Sequence, residues 1–130
     1  MSAACAKIGL LVLIGVGLAW SPLAAQSEAS KDVTPDAIAK GDKIYHGAGL
    51  CYACHGPDAK GTIGPNLVDD VWLHSKGSYE EILAQILKGI PKELSKSGVP
   101  MPPKGGSSIS ESDAQAVAAY VWSLSHKGGS

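Results

Sequence analysis

The five residues Cys51-Tyr52-Ala53-Cys54-His55 carry the most specific pattern in the chain. Two cysteines separated by two residues and followed directly by histidine form the attachment signature of a c-type haem. The two thiols lie about one helical turn apart, so both can form thioethers to one edge of a porphyrin. The adjoining His55 can then bind the iron as its proximal ligand. The pattern therefore predicts one haem c, covalently attached through Cys51 and Cys54.

Other uses of a Cys-x-x-Cys pair fit the surrounding residues less well. A thioredoxin-like redox pair belongs to a βαβ unit, and no strand-like run borders this pair. A zinc site would need two further ligands of matching type nearby, and the only other cysteine is Cys5. A disulfide between Cys51 and Cys54 would be strained by its short loop and would leave His55 without a role. These three uses are the alternatives to haem attachment.

The amino-terminal residues predict export. Ile8 to Trp20 forms an apolar run of thirteen residues, with the charged Lys7 before it and the helix-stopping Ser21-Pro22 after it. This order, followed by the small residues Ala24-Ala25, is typical of a secretory signal peptide, predicted as residues 1–25. The run is shorter than the roughly twenty residues that span a membrane. We therefore expect a periplasmic protein, with retention of this segment as a membrane anchor as the alternative.

The expected mature chain is one small domain. Residues 26–32 are polar and small and are predicted to form a disordered leader, and residues 33–130 form the domain. Without Lys7, ten basic residues face twelve acidic ones, a net charge near −2, and the sequence contains no arginine. This charge gives no reason to expect nucleic acid or an anionic membrane as a partner. The core of so small a domain is marginal, and a bound apolar macrocycle would enlarge it.

The first predicted helix follows the leader. Thr34-Pro35-Asp36 provides an N-cap, a proline at the first helical position and an acidic first turn. The apolar side of the helix is predicted to run from Ala37 to Ala48. Gly41 lies within it, although glycine costs about 1 kcal/mol against alanine in a helix. We therefore expect another helix to cross closely at Gly41.

Two further helices complete an all-α prediction. Ser78 and Glu81 have the form of a capping box ahead of a second apolar helical face, which glycine and proline end at Gly89 and Pro91. A last helix is predicted to begin near Ser110 or Ser112 and to continue at helical spacing. The segments between the helices are predicted to be loops at Gly56 to Asn66 and Lys92 to Gly106.

The group that fills the sixth coordination position of the iron decides whether the protein carries electrons or binds small molecules. Met101 is the only methionine left after removal of the signal peptide, and it lies in the loop Val99-Pro100-Met101-Pro102-Pro103. Such a proline-rich loop can hold a thioether in place, so Met101 is predicted to be the distal ligand; its alternative role is to fill a gap in the core. His74 is the rival ligand, whereas His46 and His126 are interpreted as solvated residues at helix ends.

These motifs together resemble the class I cytochrome c family. The resemblance is carried by Cys51 to Pro57, by Gly64-Pro65-Asn66-Leu67, by Met101-Pro102 and by Ala118-Ala119-Tyr120-Val121. Two segments, Asn66 to Leu73 and Tyr120 to Leu124, are similar to the haem domains of the c-type subunit of cbb-type terminal oxidases. The resemblance implies a cytochrome c-like fold, in which a small helical domain surrounds one covalently bound haem.

The resemblance also implies roles for individual residues. The carbonyl oxygen of Pro65 should accept a hydrogen bond from Nδ1 of His55 and orient the imidazole. The indole N–H of Trp72 should reach a haem propionate, with apolar packing as its alternative role. The first helix, through Tyr45, should cross the last helix at Tyr120.

Two features depart from the oxidase pattern. Pro91 to Val99 adds a lysine-bearing insertion before the methionine, and the absence of arginine leaves no known propionate clamp to carry over. We expect a monomeric, non-enzymatic electron carrier of a respiratory chain. Its donor would be a periplasmic dehydrogenase or a quinol-oxidising complex, and its acceptor a terminal oxidase. The alternatives are a haem sensor or peroxidase-like enzyme with an open sixth site, and a membrane-tethered subunit of a larger redox complex.

The predicted contact surface for redox partners is the rim around one haem edge. It would consist of Tyr52, Ala53, the Gly56 to Gly64 loop and the Lys92 to Lys104 insertion. Three lysines of the insertion would steer an acidic partner, namely Lys92, Lys96 and Lys104.

Overall fold

The computed structural model describes residues 30–126. The predicted signal peptide, Cys5, most of the predicted leader and the last four residues lie outside the described residues. The described helices are Pro35–Tyr45 (α1), Tyr52–His55 (α2), Tyr79–Lys88 (α3) and Glu111–Ser125 (α4), with a short 3-10 helix at Pro103–Gly106. Extended pairing between residues 30 and 126 is limited to one isolated bridge, Ile90 with Met101. The predicted all-α class is confirmed.

Helix α1 begins as its sequence predicts. The hydroxyl of Thr34 accepts a hydrogen bond from the backbone N–H of Ala37 at 3.2 Å, and proline follows as the first helical residue. The helix ends at Tyr45, so the prediction that its apolar side reaches Ala48 is wrong. The chain instead turns back on itself, because the backbone N–H groups of Gly47 and Gly49 both donate to the carbonyl oxygen of Ile44. Ala48 lies exposed in this turn.

The crossing of α1 over α4 is the most extensive contact between helices in the described residues. Gly41 is buried, and a Cβ atom added there would overlap the backbone carbonyl oxygen of Ala116. Beside it, the fully buried ring of Tyr45 meets the ring of Tyr120 edge to face, with centroids 5.3 Å apart. Both predicted features of this crossing, the tight approach at Gly41 and the contact of Tyr45 with Tyr120, are confirmed.

Capping boxes start both α3 and α4. The hydroxyl of Ser78 accepts from the backbone N–H of Glu81 at 3.3 Å, and the Glu81 carboxylate accepts from the backbone N–H of Ser78 at 3.2 Å. Ser110 and Asp113 form the same pair of hydrogen bonds, so α4 begins after Ser110 rather than after Ser112. The second box was not predicted, although serine followed three residues later by an acidic side chain is its sequence signal.

The core lies between α3 and α4 and continues toward α1. Tyr79, Ile82 and Ile86 form the buried face of α3, and they pack in one cluster with the buried residues of α4, namely Ala114, Val117, Ala118, Ala119, Val121 and Leu124. The small alanines allow α1 to approach α4 closely. None of the helices described between residues 30 and 126 has the length and hydropathy to cross a membrane.

We expect Gly41→Ala to lower the free energy of unfolding by about 1–3 kcal/mol, the usual cost of overpacking a core. The added methyl group would meet rigid backbone of α4, which cannot move aside as a flexible side chain would. Chemical denaturation of the haem-loaded protein measures this change. Ala39→Gly at an exposed position of α1 is the control, because it reports helix preference alone and should cost about 0.5–1 kcal/mol. A Gly41→Ala protein as stable as the wild type would contradict the close crossing.

Candidate functional site

The Cys-x-x-Cys-His segment forms a single tight helical turn. Cys51 is the N-cap of α2, and its carbonyl oxygen accepts from the backbone N–H of His55 at 3.0 Å. Cys54 and Cys51 are both free thiols, so the disulfide alternative is not formed. The two thiols and the His55 imidazole all line one cavity. The turn therefore directs its three reactive side chains toward a common space.

The environment of the thiols differs from that of a redox-active cysteine pair. Burial raises the pKa of the Cys51 thiol to about 11, and the nearby sulfur of Cys54 acts in the same direction. Reactive cysteines in disulfide oxidoreductases instead have a lowered pKa, because only the thiolate attacks. The Cys51 thiol is protonated at neutral pH and unsuited to thiol–disulfide exchange. This observation weighs against the thioredoxin-like alternative.

The imidazole of His55 is buried and held by one backbone oxygen. Its Nδ1 lies 2.9 Å from the carbonyl oxygen of Pro65, which can only accept, so Nδ1 carries the proton and Nε2 the lone pair. Burial lowers the pKa of His55, although the hydrogen bond to Pro65 opposes this effect. The ring is therefore neutral at physiological pH. A neutral imidazole with its second nitrogen hydrogen-bonded to the protein is the usual state of a metal-binding histidine.

The loop that carries Pro65 folds back onto the attachment turn. The backbone N–H of Gly64 donates to the carbonyl oxygen of Cys54 at 2.8 Å, and that of Gly61 donates to the carbonyl oxygen of His55 at 2.8 Å. A Cβ atom added at Gly64 would lie 3.1 Å from the His55 ring, tighter than ordinary contact. Glycine at position 64 therefore lets the loop lie against the imidazole and brings the Pro65 carbonyl within hydrogen-bonding distance.

Met101 is held by backbone contacts from the end of α3. The backbone N–H of Ile90 donates to the carbonyl oxygen of Met101 at 2.8 Å, and the N–H of Met101 donates to the carbonyl oxygen of Ile90 at 2.9 Å. Gly89, with φ of +70°, ends α3 and lies against the backbone of Met101 and the two prolines that follow it. The half-buried Met101 lines the same cavity as His55. Its backbone position is therefore set by reciprocal hydrogen bonds.

The segment after Met101 is also tied to the fold. Lys104 has the left-handed φ of +54°, and its ammonium group donates to the carbonyl oxygen of Ile109 at 2.9 Å. The hydroxyl of Ser107 donates to the carbonyl oxygen of Lys104 at 2.6 Å. Lys104 thus links the Met101 loop to the start of α4. The prediction that Lys104 serves as a free steering charge is not supported, whereas Lys92 and Lys96 are exposed.

The cavity contains about 1100 Å³ of space, including its open mouth. An open, apolar cleft lined by several elements is typical of a cofactor site. The walls come from the attachment turn, the Pro65 loop, α3, the Met101 loop and α4, and are mostly apolar. A neutral imidazole, a thioether and two free thiols are the donors expected at a haem c. The residues present fit that group.

Two further predicted residues line the same cavity. The ring of Trp72 packs on Gly77, whose missing side chain leaves room for the indole. The propionate contact proposed for Trp72 stays a prediction. His74, the rival ligand, has its Nε2 3.5 Å from the backbone N–H of Lys96, a long contact that ties it to the insertion. Both ligand candidates therefore border the cavity, but it is Met101 whose backbone is held by reciprocal hydrogen bonds.

The prediction that His46 is a solvated residue at a helix end is confirmed, and its ring makes further contacts. His46 lies at the end of α1 as predicted, but both of its ring nitrogens contact oxygen atoms. Its neighbour Tyr45 donates from its hydroxyl to the carbonyl oxygen of Gly56 at 2.8 Å, and burial raises the pKa of this tyrosine. The signal that could have drawn attention to His46 is Asp42, one helical turn earlier. His126, which was also interpreted as solvated, is half-buried, and its ring stacks on Trp122.

The family model for cytochrome c oxidase, cbb3-type, subunit III matches residues 36–121 of the chain. Subunit CcoP of the cbb3-type cytochrome c oxidase of Rubrivivax gelatinosus is 38% identical over 92 residues, which cover 70% of this chain and 27% of that protein. The CcoP subunit of Rhodobacter capsulatus is 37% identical over 93 residues, covering 65% and 28%. The chain spans less than a third of the length of these curated relatives. The predicted resemblance to the c-type oxidase subunit is confirmed.

Two solved structures share the fold. Cytochrome cL from Methylophaga aminisulfidivorans superposes with a TM-score of 0.56 at 22% identity, covering 77% of this chain and 61% of that one. Cytochrome cL from Hyphomicrobium denitrificans gives a TM-score of 0.51 at 19% identity, covering 72% and 52%. At these identities the likeness concerns the fold alone. It confirms the cytochrome c-like fold expected from the motifs.

We expect Gly89→Ala to displace the Met101 loop. The added methyl group would overlap the Met101 carbonyl oxygen and lie 2.8 Å from the backbone nitrogen of Pro103. Under the prediction that Met101 is the distal ligand, the haem should stay attached, while the weak sulfur-to-iron band at the red end of the oxidised spectrum should be lost. Gly98→Ala is the matched control, because Gly98 also has a positive φ, of +77°, but a Cβ atom there would contact nothing within 4 Å. Equal spectra for the two variants would contradict a direct effect of Gly89 on Met101.

Proposed function

The chain belongs to the cbb3-type cytochrome c oxidase subunit III family, and we propose that it is a single-electron carrier with one covalently attached haem c. The observation that carries this proposal is the apolar cavity bordered by a neutral His55, the free thiols of Cys51 and Cys54, and a backbone-held Met101. When bound, the haem supplies a metal centre that accepts and releases one electron. The chain's own residues bind it, orient it and exclude water from it.

Each of these residues has a distinct proposed role. Cys51 and Cys54 anchor the porphyrin as thioethers. Nε2 of His55 is the proximal ligand, and Pro65 keeps the proton on the opposite ring nitrogen so that the lone pair stays available. The Met101 sulfur is the distal ligand. Trp72 contacts a propionate through its indole N–H.

The arrangement favours electron transfer over ligand binding or peroxidase-like catalysis. Hydrogen bonds to backbone groups hold both proposed ligands. The His55 ring bonds to the carbonyl oxygen of Pro65, and the backbone of Met101 bonds to that of Ile90. His55 and Met101 would thus hold a bound haem with little rearrangement when the charge on its iron changes. A thioether ligand also raises the reduction potential, so we expect a positive value and a low-spin iron in both oxidation states.

The proposed setting is the periplasm. Residues 1–25 would be removed as a signal peptide, residues 26–32 would form a leader, and residues 33–130 would act as one monomeric domain. The similarity to CcoP supports a terminal oxidase as the electron acceptor. The proposed donor is a periplasmic dehydrogenase or a quinol-oxidising complex. If residues 1–25 are retained instead, the domain would be tethered to the membrane beside its partners.

We expect Met101→Ala to retain covalent haem but to open the sixth coordination position. Attachment depends on the two cysteines, so the haem should remain after denaturation. The midpoint potential should fall, the ferric iron should become high-spin, and carbon monoxide should bind the ferrous iron rapidly. Optical spectroscopy and potentiometric titration measure these changes.

His74→Ala is the control for this experiment, because His74 lines the same cavity. Under the proposal it keeps the sulfur-to-iron band and does not bind carbon monoxide. If His74→Ala opened the iron and Met101→Ala did not, the distal ligand would be His74. Rapid carbon monoxide binding by the unmodified protein would favour the sensor or peroxidase-like alternative.

The proposed docking surface is the mouth of the cavity. Three apolar residues that line the cavity are largely exposed, namely Leu50 at 46%, Val71 at 64% and Val99 at 41%. The insertion that carries the exposed Lys92 and Lys96 borders this mouth, because its residues Ser95 and Ser97 also line the cavity. An apolar centre beside positive charge suits a redox partner with an acidic rim.

We expect the double change Lys92→Glu and Lys96→Glu to slow the second-order electron-transfer rate with the acidic redox partner, most strongly at low salt. Reversing these charges removes the attraction that speeds encounter, and salt screens that attraction. Stopped-flow kinetics across a range of ionic strength measure the effect. The control is Lys31→Glu with Lys43→Glu, the same charge change at exposed residues that do not line the cavity. Equal slowing by both pairs would show that net charge, rather than the insertion, governs encounter.

A further inference from the structure

His46 makes three contacts with oxygen atoms at the end of α1. Its Nδ1 lies 2.9 Å from the backbone carbonyl oxygen of Asp42 and 2.9 Å from a carboxylate oxygen of the same residue. Its Nε2 lies 2.7 Å from the carbonyl oxygen of Pro57. The carbonyl oxygens can only accept hydrogen bonds, and so can an ionised carboxylate. Each ring nitrogen therefore needs a proton for these contacts to be hydrogen bonds.

Only the imidazolium form of His46 can satisfy both nitrogens at once. A neutral imidazole has one N–H, so one of its nitrogens would face an oxygen lone pair without a proton between them. The position favours the cation in two further ways. The carboxylate of Asp42 is an adjacent negative charge, and the carboxyl end of α1 carries the partial negative charge of the helix.

The groups around His46 come from three parts of the fold. Asp42 and Tyr45 belong to α1, and the rings of Tyr45 and Tyr120 lie 4.9 Å and 6.1 Å from the His46 ring. Burial raises the pKa of Tyr120, and the nearby carboxylates of Asp42 and Asp58 act in the same direction. The hydrogen bond to the Pro57 carbonyl raises the pKa of His46 above its ordinary value, and the bond to the Asp42 carbonyl is the next largest contribution.

His46 and Tyr45 together connect α1 to the residues directly behind the attachment turn. Tyr45 donates to the carbonyl oxygen of Gly56, and His46 donates to that of Pro57. Gly56 is the C-cap of α2, the helix that ends at His55. The Tyr45 link is buried and burial raises its pKa, so it persists at all moderate pH values. The His46 link is half-exposed and loses a donor when the ring loses a proton.

We propose that His46 is a pH-dependent positioning residue, whose imidazolium form holds Pro57, and with it the haem-attachment turn, against α1. Loss of the proton leaves one N–H for two acceptor sites, so the ring cannot bond to Pro57 and to Asp42 at the same time. It also removes a positive charge from this side of the site. The stabilisation is fully present below about pH 6.5, the unperturbed value for histidine, and is lost as the pH rises through the raised value. A reduction potential that senses this charge falls over the same interval.

The test uses the full haem-loaded protein in its reduced, diamagnetic state. Nuclear magnetic resonance follows the His46 ring as the pH is raised, and potentiometry follows the midpoint potential over the same range. We expect the ring to titrate above the free-histidine value and the potential to fall in a single step at the same midpoint. His46→Gln should fold but lack the step in potential. His126→Gln, a matched change at the C-cap of α4, should retain it.

A His46 ring that titrates at or below the free-histidine value would overturn the proposal, even if His46→Gln fails to fold. So would a step in potential that survives in His46→Gln, or one that His126→Gln also removes. The potential readout rests on the proposed haem attachment. A chain without covalent haem gives no redox wave at all. Failure of the His46 proposal instead gives a redox-active protein whose midpoint potential shows no step with pH, or shows the same step in His46→Gln.

Discussion

The rest of the structure depends on a hydrophobic core that surrounds a cavity. Ile82, Ile86 and Val117 belong to the buried cluster, and the same three residues line the open cavity beside His55. Protein interiors are otherwise packed as densely as organic crystals, with few voids larger than a water molecule. An apolar group bound in this cavity would enlarge the core of so small a domain. Covalent attachment through Cys51 and Cys54 would keep that group in place.

The two walls that bear the proposed ligands are built differently. The His55 wall is held by side chains and by a loop, because Tyr45 and His46 bond to Gly56 and Pro57 while the Pro65 loop folds over the imidazole. In the Met101 wall, Met101 itself is held by backbone hydrogen bonds with Ile90, while the side chains of Lys104 and Ser107 hold the segment that follows. Titration of side chains can thus affect the His55 wall, whereas the Met101 bridge contains no titratable group.

Local sequence signals predicted the helices and the attachment turn, because caps, proline and glycine act within a few residues. Thr34, Ser78 and Gly41 were assigned correctly on those grounds. Features that join distant segments were not predicted from the residues alone. The bridge between Ile90 and Met101 has no local signature, and the contact of His46 with Pro57 depends on how the loop folds back. The hydrogen bond between His55 and Pro65 was expected only through the family resemblance.

The bridge also explains how the chain accommodates its insertion. Residues 91–100 connect Ile90 to Met101, and the backbones of these two residues are hydrogen-bonded to each other. The insertion is therefore a closed loop, held internally where the Ser95 hydroxyl donates to the carbonyl oxygen of Val99 at 2.6 Å. The entropy cost of closing a loop grows only slowly with its length. Additional residues between the paired positions can change the surface that a partner meets while the backbone of Met101 keeps its place.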